Sequence, residues 1–123
     1  MGSTPLPLPL AFAVGQSLQI LRRDGTLRQR LEQNSTAIKS ALRHAGFSFP
    51  DAPGPIVPLH FDELKQITRV QRALLAAKIL PPLIHYPGSP ANGYFRFVIS
   101  SEHTQRQLEN LVHALKPFAA AAR

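Results

Sequence analysis

The run Tyr94-Phe-Arg-Phe-Val-Ile-Ser100 alternates so that Phe95, Phe97 and Ile99 share one face of a strand while Tyr94, Arg96, Val98 and Ser100 share the other. A strand has only two faces, so burying the first set against a core places Arg96 on the opposite side. There a planar, permanently charged guanidinium can hold a carboxylate or a phosphate by two parallel hydrogen bonds. Two readings stand at this point: an arginine on the solvent side of a two-layer sheet, or an anion anchor on a face that something else covers.

The rest of the chain supplies helices to cover the first face. Leu10, Val14, Leu18 and Leu21 recur at helical spacing after the Pro-Leu repeat, and Asp24-Gly25 interrupts them. A second helix is expected from about Thr26 to Ala45, with Leu27, Leu31, Ile38 and Leu42 on one face, Arg28, Glu32 and Lys39 on the polar face, and Gly46 as the left-handed stop. Phe49 to Gly54 reads as a proline-containing linker into a short strand, Pro55-Ile-Val-Pro-Leu-His60, whose two prolines place it at an edge or a bulge. Asp62 and Glu63 favour the start of a third helix carrying Leu64, Ile67, Val70 and Leu74 and ending near Lys78. Leu80 to Ile84 forms a short strand, and Pro87 to Gly93 a turn. Thr104 with Gln107 makes a capping box for a last helix with Leu108, Leu111, Val112 and Leu115 inside. The order α-α-β-α-β-β-α gives an α+β, two-layer fold, divided into an N-terminal helical segment, 1–46, and a small α+β domain, 47–123.

At 123 residues the chain can bury about two-thirds of its unfolded surface without staples. With no cysteine, thiolate catalysis and Cys-based zinc sites are excluded. No pair among His44, His60, His85, His103 and His113 has ligand spacing on one helix face, so no metal is expected. The formal charge of +7 suits an anionic partner, but Arg22, Arg23, Arg28 and Arg30 bracket Asp24 without stacking aromatics and read as a solvated helix face, not a nucleic-acid site. Met1 to Val14 is broken by Pro5, Pro7 and Pro9 and lacks a basic leader, so neither a signal peptide nor a membrane span is expected, and the location is expected to be cytoplasmic.

Four stretches in this order and spacing are Ser3-Thr-Pro-Leu-Pro7, Gly54-Pro-Ile-Val-Pro-Leu59, Pro81-Pro-Leu-Ile-His-Tyr-Pro-Gly-Ser-Pro90 and Arg96-Phe-Val-Ile-Ser-Ser-Glu-His-Thr104. On them the chain resembles the C-terminal small domain of the α-oxoamine synthases, pyridoxal-phosphate enzymes of fold type I in the class II aminotransferase group. The resemblance implies an antiparallel sheet with helices on one face, in a parent enzyme condensing an amino acid with an acyl-CoA or acyl carrier protein thioester and releasing carbon dioxide. The 8-amino-7-oxononanoate synthase branch, with alanine and a pimeloyl donor for biotin synthesis, is the first expectation. It further implies that Arg96 grips the amino-acid carboxylate and that Tyr86, with the turn to Pro90, shapes the substrate side. Ser3 and Thr4 would lie near the cofactor phosphate of a neighbouring subunit in a homodimer. His103 and Thr104 match the family's His-Thr, where capping alone explains them.

Two departures accompany the resemblance. Lys78 stands where the family usually has a glycine before the isoleucine, which predicts a tighter or displaced turn. The Schiff-base lysine, the aspartate on the pyridine nitrogen and the stacking histidine belong to a large domain that would precede Ser3, while Lys39, Lys65, Lys78 and Lys116 read as ordinary helix residues. Met1-Gly2 therefore reads as a new start on a truncated frame, no catalytic residue is assigned, and no cofactor is expected in the isolated chain. A free-standing ligand-binding or oligomerising module and a basic nucleic-acid binder remain as other readings of the same order and charge.

Overall fold

In the computed structural model, which describes residues 7–122, the chain runs α1 (Leu8–Arg23), α2 (Thr26–His44), β1 (Ile56–Leu59), α3 (Leu64–Ala76), β2 (Leu83–Ile84), β3 (Tyr94–Val98) and α4 (Gln105–Leu115), closing with a 3-10 helix, Lys116–Ala121. The strands form one antiparallel sheet in the order β1-β3-β2. The strand with the clearest alternation is therefore the central one, and the proline-bearing β1 is an edge, where Pro58 removes no needed donor. This is the α+β two-layer fold expected from the pattern.

Register decides the core. Val57 pairs with Phe97, and both Leu59 and Leu83 pair with Phe95, so these side chains share the inner face. Phe95 is fully buried, its ring edge-on to Phe61 at 5.9 Å and stacked with Phe97 at 6.2 Å. The helices close over them with Ile38 and Leu42 of α2, Ile67, Val70 and Leu74 of α3, and Leu108, Leu111 and Leu115 of α4. Leu64, expected on the inner stripe of α3, is exposed because it sits at the first residue of the helix, beyond the sheet. Leu27 and Leu31 are only half-buried, since α2 meets the core through its C-terminal half.

The α1 helix buries nothing among the described residues, and its stripe Leu10, Val14, Leu18 and Leu21 is exposed. Between α1 and α2 the Asp24 carboxylate accepts from the hydroxyl and the N–H of Thr26, a local turn interaction that holds that carboxyl below the usual carboxylate range.

The same C-terminal device ends α2 and α3. At α2 the Gly46 N–H donates to Arg43 O and the Phe47 N–H to Leu42 O, with Gly46 at φ +99°. At α3 the Lys78 N–H donates to Leu75 O and the Ile79 N–H to Leu74 O, with Lys78 at φ +60°. At this turn, expected to be tighter or displaced, the lysine takes the left-handed conformation usual for glycine, because the two hydrogen bonds and the packing of Ile79 against the core outweigh the strain. Lys78→Gly is expected to raise the unfolding free energy by about 1 kcal/mol, read from the urea midpoint. Gly46→Ala should lower stability in the same assay.

Candidate functional site

The outer face of the sheet is set by the same register. Ile56 pairs with Val98, Pro58 with Arg96 and Ile84 with Tyr94, and no helix of the described residues covers this side. Arg96 is half-buried in its centre. Both of its lateral neighbours are prolines: Pro58 opposite it on β1, and Pro82 beside β2, whose carbonyl accepts the Arg96 N–H at 2.9 Å. Neither carries charge, and Arg96 has no ion pair among the described residues. An arginine ringed by Ile, Val, Pro and Tyr keeps its guanidinium free while the apolar surround lowers the local dielectric, which strengthens any charge-assisted bond made there.

Arg96 also lines a groove of about 580 Å³ at the edge of β3, where β2 has ended. Its walls are the Ala77–Leu80 turn and the start of α4 with His103 and Gln107. That end of α4 is held firmly. Thr104 Oγ1 accepts from the Gln107 N–H while the Gln107 side chain accepts from the Thr104 N–H, the capping box read from the sequence. His103 Nδ1 accepts the Ser100 N–H at 3.0 Å, so its role here is to close the turn between β3 and α4. Asn34 on α2 donates to Ser100 O and His103 O, both at 2.9 Å, and Arg30 pairs with Glu102 at 2.9 Å. Asn34 carried no sequence signal, since its partners are carbonyls about seventy positions away.

Tyr86 does not line this groove; it is exposed at the start of the turn that follows β2. The Ser89 N–H donates to Tyr86 O at 2.9 Å and the Tyr86 N–H to Ser89 Oγ at 3.1 Å, with Gly88 at φ +83°, so the turn is rigid by its own chemistry. Gly93 closes it at φ +74°, where a Cβ would stand 2.6 Å from Ile84 O and 2.8 Å from the His85 ring. Asn92 Nδ2 ties the turn to Asp62 O at 2.7 Å. Ser3 and Thr4 lie outside the described residues.

The four lysines stand in different surroundings. Lys65, Lys78 and Lys116 are exposed. Lys39, expected on the polar face of α2, is instead 8% exposed, its Nζ donating to Ala52 O at 2.8 Å and Gly54 O at 2.6 Å. It straps the linker to α2, because a buried ammonium must find acceptors and the carbonyls of this loop supply them. Among the described residues no group of three or more His, Asp or Glu can hold a metal ion, and no helix is long and apolar enough to cross a membrane. The Arg96 guanidinium is of a kind that suits an anion, and Lys78 lines the same groove.

Fold and site together define a helix-backed antiparallel sheet whose outer face carries Arg96, without an ion pair among the described residues. The chain belongs to the family Aminotransferase class I and II, which residues 1–115 match. It is 30% identical over 118 residues to the 8-amino-7-oxononanoate synthase of Methylococcus capsulatus, covering 92% of this chain and 30% of that protein, and 30% identical to that of Ectopseudomonas mendocina, covering 92% and 29%. The fold is shared with the Sphingomonas wittichii serine palmitoyltransferase, at a TM-score of 0.77 and 22% identity over 98% of this chain and 31% of that one. It is shared also with the S. paucimobilis enzyme bound to a pyridoxal-phosphate–myriocin adduct, at 0.74 and 24% over 86% and 27%. These relatives agree with the α-oxoamine synthase resemblance read from the sequence, and the chain spans about 30% of the length of the curated relatives it matches.

Gly93→Ala should destabilise the fold by about 2 kcal/mol, from strain at positive φ plus the clash with Ile84 O. Chemical denaturation checks this, and an unchanged midpoint would show that the turn relaxes freely.

Proposed function

We propose that this chain is the C-terminal, substrate-binding part of a pyridoxal-phosphate-dependent acyltransferase that condenses an amino acid with an acyl-CoA or acyl carrier protein thioester. The observation that carries the reading is Arg96: central on the open sheet face, flanked by prolines and without an acidic partner among the described residues. Two parallel hydrogen bonds from its guanidinium to the amino-acid carboxylate fix the substrate's orientation, and orientation is what a reacting amino acid most needs from the protein. The rigid Tyr86–Pro90 turn bounds the same substrate from the side, and Ser3 and Thr4 approach the cofactor phosphate of a neighbouring subunit. Alanine and a pimeloyl thioester are the substrates proposed, supported by the names of the curated relatives.

The electron-sink chemistry belongs to the cofactor, held in this proposal by a large domain that supplies the Schiff-base lysine. The helical segment 1–46 is proposed to bridge that domain, and a second subunit of a homodimer, to the α+β unit at 47–123. The exposed apolar stripe of α1 supports this, since a helix with no covering partner gains little by burial on its own. The cytoplasm is the proposed location, and the isolated chain is proposed to be inactive.

Mixed with pyridoxal phosphate and dialysed, the isolated chain should retain no stoichiometric visible band, because three lysines are solvated and the fourth is bound to two carbonyls. Retention mapped to a single lysine would refute this. When the chain is joined to a compatible large domain, Arg96→Ala should lower kcat/KM for the amino acid by roughly 30-fold to 1000-fold, the equivalent of about 2 to 4 kcal/mol. Arg96→Lys should restore only part, since a point charge does not reproduce the planar fork. Saturation by the thioester should hardly change; loss of thioester affinity with intact amino-acid kinetics would assign Arg96 elsewhere.

A further inference from the structure

A second groove, of about 700 Å³, lies between α2 and the 51–55 linker, on a part of the molecule that the carboxylate site does not use. Its wall is the α2 face carrying Arg28, Glu32, Ser35 and Lys39, with Arg43 and Asp51 beside them. Lys39 is the central group. Its ammonium spends two protons on Ala52 O and Gly54 O, which leaves the third without an acceptor, and no carboxylate pairs with it among the described residues. One turn earlier on the same face is Ser35, 7% exposed, whose Oγ has no hydrogen-bond partner. Buried hydroxyls are rarely left in that state.

The charge balance around these two groups is one-sided. Arg43 and Asp51 neutralise one another at 2.7 Å, leaving Arg28 and Lys39 against Glu32. Arg28 has no ion pair among the described residues and lies on the same wall as Lys39. The linker that closes the groove turns through Gly54 at φ +95°, which brings its carbonyls onto the ammonium and fixes where the third proton emerges. We infer that this groove binds a phosphate-type oxyanion, with the third Lys39 N–H and the Ser35 hydroxyl as inner donors and Arg28 as the outer cation. Ser35 lines the groove with its Oγ buried, so donation to the anion requires the hydroxyl to turn about the Cα–Cβ bond to another staggered position. The oxyanion supplies acceptors to both orphaned donors and a countercharge directly against the ammonium, with which neither Glu32 nor Asp51 of the groove is paired.

The test is a titration of the 15N-labelled full chain with inorganic phosphate at constant ionic strength, against sodium chloride as control. Saturable amide shifts confined to residues 35–39 and 51–55 are expected. Ser35→Ala removes a buried hydroxyl that bonds to nothing in the free protein, so it should hold or raise the thermal midpoint and weaken phosphate about threefold to tenfold. Arg28→Gln should weaken it as well and reduce its salt dependence. Phenyl phosphate distinguishes the source: equal affinity assigns the groove to a phosphate ester, and rejection of the ring assigns it to the free ion, either outcome supporting an oxyanion site. Shifts reproduced by chloride, no saturable shift, or a Ser35→Ala variant with unaltered affinity would each overturn the inference. Arg96→Ala should leave the titration as it is, which separates this site from the proposed substrate clamp.

Discussion

The inner face of β3 holds the structure together and thereby fixes where Arg96 stands. Phe95 and Phe97 carry the largest side chains on the inner face and are stacked on one another under α3, α4 and the C-terminal half of α2. Removing such a ring from water contributes more than any single surface contact in the chain. Because successive strand residues alternate, anchoring those two rings leaves Arg96 no choice of side. A one-residue slip would bury the guanidinium and expose both rings, so the register that stabilises the fold also protects the position of the charge.

What lies around Arg96 is as consequential as its side. Pro58 on β1 and Pro82, just before β2, flank it, and neither residue type can supply a countercharge. The turns that frame it are stiffened locally by Gly88, Ser89 and Gly93 on one side and by the Thr104–Gln107 box on the other. Asn34 then clamps the 100–103 turn to α2 by two carbonyl bonds. A rigid frame around an unpaired cation is suited to orienting an anionic substrate, since little ordering is left for the moment of binding.

Lysine plays three different parts in this chain. Lys65 and Lys116 are solvated. Lys78 carries backbone strain at a helix end that glycine would relieve, and Lys39 is a buried strap between a helix and the linker that follows it. The last of these turns the α2–linker junction into a positively charged groove, with its own unsatisfied donors, separate from Arg96.

The sequence by itself determined everything that depends on local periodicity and local chemistry. The alternation of Tyr94 to Ser100, the stop at Gly46, the edge character of the strand with two prolines and the capping box at Thr104 were all legible, because each is decided within a few residues. The family could be read as well, from motifs whose order and spacing survive in the chain. Only the tertiary structure decided which partner each element meets. Lys39 looked like a surface residue because the carbonyls that receive it belong to a linker without any periodic signal. The left-handed conformation of Lys78 was not legible because the packing of Ile79, which compensates its strain, is a long-range contact. Asn34 gave no sign at all, since a hydrogen bond to a backbone carbonyl leaves no trace in the identity of the residue that accepts it.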